Sequence, residues 1–153
     1  MDQGPPGHVR GADGRILLTV VTSTNVGGPD ELRVLVIDDQ PLLRDLLAEF
    51  LELLGHEADL VADGSEGLAR FDPLVHQAVL TDFLMPGLTG LDVAEAIRVQ
   101  GCTTPIVMLS GHTTPADERR ALEAGLRFVS KPISFAQFET TMAEVVEHAG
   151  APR

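Results

Sequence analysis

Leu32-Arg33-Val34-Leu35-Val36-Ile37 is apolar at nearly every position and stops on two carboxylates, Asp38-Asp39. That run constrains the fold more than any other feature. A strand with one face in water alternates apolar and polar residues, whereas a run apolar on both faces suits a central strand covered by helices on both sides, the setting of a parallel sheet. A helical pattern follows at once. Pro41 suits a first helical turn, and Leu42, Leu43, Leu46, Leu47, Phe50, Leu51 and Leu54 recur at spacings of three and four before Gly55, which can close the helix.

The alternation then repeats. Strands are expected over Glu57 to Val61, Ala78 to Thr81, Pro105 to Ser110 and Leu126 to Ser130. The stretches between them read as helices, one through Leu68 and Phe71 after an Asp63 cap, one carrying Leu91, Val93, Ala94 and Ile97, and one opened by Thr113 to Ala116 and closed by Gly125. A last helix places Phe135, Phe138, Met142, Val145 and Val146 on one face. Five strand-helix units in succession predict an α/β fold with a parallel sheet and right-handed crossovers.

Residues 1–31 differ in composition, with six glycines, three prolines and one apolar island, Ile16 to Thr22. They are expected to form a flexible N-terminal extension, the island being able to add an edge strand or pair with another chain. Residues 32–149 are expected to be the folded domain and 150–153 a short tail, leaving no room for a second domain. With 23 acidic against 11 basic residues the net charge is −12, and the missing basic footprint argues against direct binding to nucleic acid or an anionic membrane. The single Cys102 and the absence of a signal-like start or a membrane-length apolar run point to the cytoplasm.

In such a sheet the ends of successive strands gather along one edge, where ligands bind. That edge is expected to collect Asp38 and Asp39 from the first strand, Asp82 from the third, Ser110 from the fourth and Lys131 just past the fifth. Taken singly, each has an ordinary explanation: an Asp caps the next helix, a Ser bonds to backbone, a Lys-Pro makes a solvated turn. Together they form a chemical set. Three carboxylates repel one another unless a cation joins them, and a hard, oxygen-lined site suits Mg²⁺. A carboxylate nucleophile with Mg²⁺ and Lys131 neutralising phosphoryl oxygens, and Ser110 donating a hydrogen bond, is a workable phosphoryl-transfer site.

Val36-Ile37-Asp38-Asp39, Leu80-Thr81-Asp82-Phe83-Leu84-Met85-Pro86-Gly87 with Gly90 following, Leu109-Ser110-Gly111 and Val129-Ser130-Lys131-Pro132 resemble the receiver domain of two-component response regulators over residues 32–149. The resemblance implies a flavodoxin-like (βα)5 sandwich of strand order 2-1-3-4-5, the order that a chemotaxis member of the family exemplifies. It further implies that Asp82 accepts a phosphoryl group from a histidine kinase or histidine phosphotransfer protein. Mg²⁺ would be bound by Asp39, Asp82 and the backbone carbonyl of Leu84, with Asp38 acting through a metal-bound water. Ser110 and Phe128 would be the switch pair and Lys131 the phosphoryl partner. Leu84 and His112 fall at positions that tune phosphoryl lifetime; an apolar Leu84 offers the hydrolytic water no hydrogen bond, and His112 is expected in solvent.

The function so implied is a single-domain phosphorelay response regulator, a phosphoacceptor rather than an enzyme. Its output would be a change in the surface formed by the fourth helix, fifth strand and fifth helix, which would control an unidentified partner protein or pair two copies of the chain. Another reading is a phosphate shuttle or sink serving a phosphotransfer protein or hybrid kinase. A Mg²⁺-dependent phosphatase of the haloacid dehalogenase type would need a second aspartate two residues after the nucleophile, where Leu84 stands. A scaffold that is never phosphorylated would be expected to have lost part of the Asp, Ser and Lys set.

Overall fold

A computed structural model describes residues 30–149; the island at Ile16 to Thr22 and the tail 150–153 lie outside the described residues. Within them the order is β1 (Arg33–Ile37), α1 (Pro41–Leu53), β2 (Glu57–Val61), α2 (Gly64–Arg70), β3 (Ala78–Asp82), α3 (Gly90–Val99), β4 (Ile106–Ser110), α4 (Pro115–Glu123), β5 (Arg127–Ser130) and α5 (Phe135–Ala149). All pairings are parallel and the sheet order is β2-β1-β3-β4-β5. The expected flavodoxin-like (βα)5 architecture is therefore present. Several strand boundaries shift by one residue, and Phe71 leaves α2 with extended backbone and acts as its C-cap.

Both faces of the sheet are buried, which is why its strands read as continuous apolar runs. Val34, Val36, Leu80, Val107, Leu109 and Val129 turn toward Leu47 and Leu51 of α1 and toward Phe138, Met142 and Val145 of α5. Leu35, Ile37, Val79, Ile106 and Met108 turn the other way, onto Leu91, Val93, Ala94 and Ile97 of α3. Leu42 is the exception to the α1 stripe. It is the second residue of the helix and is 85% exposed, because its direction falls outside the arc that faces the sheet.

Helix α4 is attached differently. Ala121 is its single buried residue, and polar clamps replace apolar burial. Arg120 donates to both carboxylate oxygens of Glu95 on α3, at 2.9 and 2.6 Å. From the opposite direction, Arg98 of α3 donates to the carbonyl of Ala124 at the end of α4 and to those of Cys102 and Thr104 in the loop that leads from α3 to β4. Burial holds the Arg98 guanidinium below its ordinary pKa. Cys102 is a half-buried turn residue with a free thiol.

A second polar cluster ties the outer strand to the sheet. Asp59 on β2 accepts from Arg33 at 2.9 and 2.7 Å and faces the buried His76 ring at 2.8 Å. His76 Nδ1 accepts the Asp72 amide at 3.1 Å, which leaves Nε2 to donate to Asp59. Hydrogen bonds from Arg33 hold the Asp59 carboxyl well below the usual carboxylate range, against the opposing effect of burial and with a further contribution from His76. A depressed pKa means that the cluster stabilises the fold fully above the unfolded-state carboxylate value, and that this is lost as pH falls through the folded value. Replacing Asp59 by Asn should lower stability at neutral pH by about 2 kcal/mol. The gap from wild type should narrow in acid, as measured by urea melts across the acidic range.

Candidate functional site

The register of the sheet assembles the site. Ile37 lies opposite Thr81 and Asp82 opposite Leu109, so the ends of β1, β3 and β4 reach the same edge. Asp38, one residue past β1, is fully buried. Its N–H donates to Val61 of β2 at 3.2 Å, its Oδ1 accepts the Gln40 amide at 2.8 Å, and its carbonyl accepts Nη1–H of Arg44 at 2.7 Å. Its Oδ2 is buried without a hydrogen-bond partner.

Asp82 is also buried. Its Oδ1 accepts the Phe83 amide at 2.9 Å and lies 2.8 Å from the Lys131 ammonium. Lys131 is brought there because its own amide continues the β4–β5 ladder onto the Ser110 carbonyl at 3.0 Å; the Lys131–Pro132 peptide is cis. The loop after Asp82 is fixed by Gly90, whose amide donates to Phe83 at 2.8 Å. A Cβ at position 90 would collide with the Asp82 carbonyl oxygen, so the return of the loop onto β3 requires glycine.

Asp38, Asp39 and Asp82 each present a carboxylate oxygen, and these atoms lie within 4.8 Å of one another. The Asp38 carboxyl is raised above its ordinary pKa, first by burial and further by the charges of Asp82 and Asp39, while the Gln40 amide and Lys131 oppose the shift. Three crowded carboxylates, one of them with a buried oxygen that lacks a hydrogen-bond partner, are what a divalent cation resolves, since it supplies the missing charge and a partner. The donor set thus fits a divalent metal.

Ser110 Oγ donates to the His112 carbonyl at 3.2 Å and is therefore engaged with its own loop. Phe128 is 37% exposed. A cavity of about 420 Å³ opens beside it, lined by Ser110, His112, Glu118, Leu122 and Val129. Leu84 turns its side chain to solvent at 64% exposure, and the His112 side chain is exposed as well. Sequence reasoning overlooked Arg44; its one signal was a basic residue six positions after Asp38, on the helix that starts beside the site.

A family profile described as the response regulator receiver domain matches residues 34–143. The chain is 31% identical over 123 residues to the transcriptional regulatory protein TcrA of Mycobacterium tuberculosis, covering 80% of this chain and 49% of TcrA. It is 30% identical over 133 residues to the sensor histidine kinase RcsC of Salmonella typhi, covering 86% of this chain and 14% of RcsC. Thus it spans at most about half the length of these relatives. Among solved structures, the chemotaxis protein CheY4 of Vibrio cholerae superposes with a TM-score of 0.69 at 29% identity, over 75% of this chain and 98% of CheY4.

Because the Asp38 pKa is raised, its ionised form opposes folding at neutral pH, and that burden is relieved as pH falls through the folded value. Asp38→Asn should therefore raise the stability of the metal-free protein by about 1 kcal/mol, the scale of one buried unsatisfied group. It should also remove most of the stabilisation that a divalent cation confers on wild type. Thermal melts with and without Mg²⁺ read both effects.

Proposed function

The chain belongs to the response regulator receiver family, and from that premise we propose that Asp82 takes a phosphoryl group from a phosphohistidine, assisted by Lys131 and Ser110. As a receiver, it is a phosphoacceptor switch that works with a divalent cation and controls an output surface, and not a true enzyme. The observation that carries the assignment to Asp82 is its position, buried at the meeting of the acidic cluster and the Lys131 ammonium.

In this reading a carboxylate oxygen of Asp82 attacks phosphorus in line. The new O–P bond forms as the N–P bond to the donor breaks, and the imidazole leaves. Lys131 transfers its pairing from the carboxylate to the phosphoryl oxygens, and the Ser110 hydroxyl releases the His112 carbonyl to donate to them. Asp39, Asp82 and the Leu84 backbone carbonyl would hold Mg²⁺, with Asp38 acting through a metal-bound water, and the ion would neutralise charge that develops on those oxygens. Movement of Ser110 opens the neighbouring cavity to Phe128, which carries no hydroxyl and so responds through apolar packing alone. The surface of α4, β5 and α5 is then the output face, and the one through which two copies would pair.

The donor must bring its imidazole to Asp82, so its docking surface must adjoin the site. A groove of about 620 Å³ does so, lined by Pro41, Leu42, Leu43, Leu46, Pro132 and Ile133 and flanked by Asp39 and Lys131. A histidine kinase or histidine phosphotransfer protein would seat an apolar helical face there. Domain limits of 1–31, 32–149 and 150–153 belong to the same proposal, as does a cytoplasmic setting; among the described residues no helix is long and apolar enough to cross a membrane. The similarity to a sensor histidine kinase favours a second reading, in which the domain passes the phosphoryl group on to another histidine rather than to an output partner.

Phosphoryl uptake from a small-molecule donor with Mg²⁺ should be complete in wild type and absent in Asp82→Asn, as followed by intact mass; equal uptake by the variant would overturn the assignment. Leu42→Glu should leave that uptake unchanged. Transfer from a phosphohistidine protein should slow about tenfold in the same variant, the loss expected of one exposed docking anchor.

A further inference from the structure

Every hydrogen-bonding group of Asp38 is fixed except one. The amide is held by Val61, Oδ1 by Gln40 and the carbonyl by Arg44 at 2.7 Å, while Oδ2 is buried and unpartnered. The carbonyl has no ladder to join, because β1 ends at Ile37 and the helix begins only at Pro41. Arg44 reaches it from the first turns of α1, where its own amide is anchored on Gln40 at 2.9 Å. A charge-assisted bond from a half-buried guanidinium thus fixes the peptide that joins Asp38 to Asp39. Rotation of that one peptide would swing both carboxylates.

We propose that Arg44 is a positioning residue for the cation site, holding the Asp38–Asp39 peptide so that both carboxylates face Asp82. The inference rests on the reading of this acidic cluster as a divalent-cation site. Two effects of Arg44 can be separated by sign. As a positive charge near the cluster it repels a cation, so its removal for that reason alone would tighten binding. As the anchor of two ligand residues it preorganises the site, so its removal loosens binding. The cation that acts on the Asp38 carboxylate is Lys131, whereas Arg44 is bonded to the peptide, and the geometry favours the second effect.

Calorimetric titration of the full chain with Mg²⁺ at fixed ionic strength tests this, using wild type, Arg44→Met and Arg44→Lys. Methionine keeps the apolar stem and removes both the donor and the charge; lysine keeps the charge and one donor. Arg44→Met should weaken Mg²⁺ binding about tenfold, as loss of an outer-shell partner does, and Arg44→Lys should recover most of that loss. Circular dichroism at the titration temperature verifies that each variant is folded, and amide exchange at Asp39 and Gln40 in metal-free protein should be faster in Arg44→Met. Unchanged or tighter Mg²⁺ binding by a folded Arg44→Met would overturn the proposal while leaving the cation site intact. Failure of wild type itself to bind Mg²⁺ would overturn the cation-site reading and this inference with it.

Discussion

The 2.8 Å pair between Lys131 and Asp82 is the interaction that lets three carboxylates share one edge of the sheet. Parallel strands buried on both faces place their C-terminal ends together whatever residues stand there, and here the register delivers Asp38, Asp39 and Asp82 into mutual range. Without a cation from the protein the cluster would carry only repulsion and desolvation, and buried carboxylates respond by taking up protons. Lys131 arrives because its amide extends the β4–β5 ladder onto Ser110, so the positive charge is positioned by backbone pairing and not by a flexible loop. A buried ion pair is a poor source of stability. Its value here is that the ammonium already lies where a phosphoryl anion would form.

The fold was legible because its determinants are local and periodic. Leu32 to Ile37, Ala78 to Thr81 and Ile106 to Leu109 are apolar on alternate faces, and both faces prove buried. Placing the five-residue constellation needed one further inference, that strand ends converge, and the resemblance supplied the strand order. Leu42 shows the limit of periodicity: spacing assigns it to an apolar stripe whose width is set by the sheet, which the helix sequence does not contain. Asp59 with His76, and Arg120 with Glu95, were invisible for a related reason. Each joins residues far apart in sequence, 17 and 25 positions, and a charged residue in isolation reads the same whether it meets a partner or water.

Arg44 was overlooked although it lies in a stretch that had been read closely. Its partner is a backbone carbonyl, that of Asp38. A side chain aimed at a carbonyl has no complementary residue type to search for, since every residue carries one. Acidic residues at strand ends therefore identify themselves from sequence more readily than the groups that hold them in place.

The same asymmetry bears on how the switch is balanced. Helix α4 buries one alanine and is otherwise held by Arg120 and Arg98 through polar contacts to α3, so little apolar surface must be uncovered for it to shift. Phe128 stands half out of a cavity large enough to receive it, and moving the rest of the ring inward would contribute about 1 kcal/mol from apolar burial. In the proposed switch, the Ser110 hydroxyl, satisfied by the His112 carbonyl, would be what resists that gain. Opposing contributions of this size would leave the two arrangements of the proposed switch within a few kcal/mol of each other, close enough for one new charged group at Asp82 to reverse their order. A tyrosine at position 128 would add a hydroxyl needing a partner in one of the two states. Phenylalanine removes that requirement, and in the proposed switch the preference would be decided at Ser110.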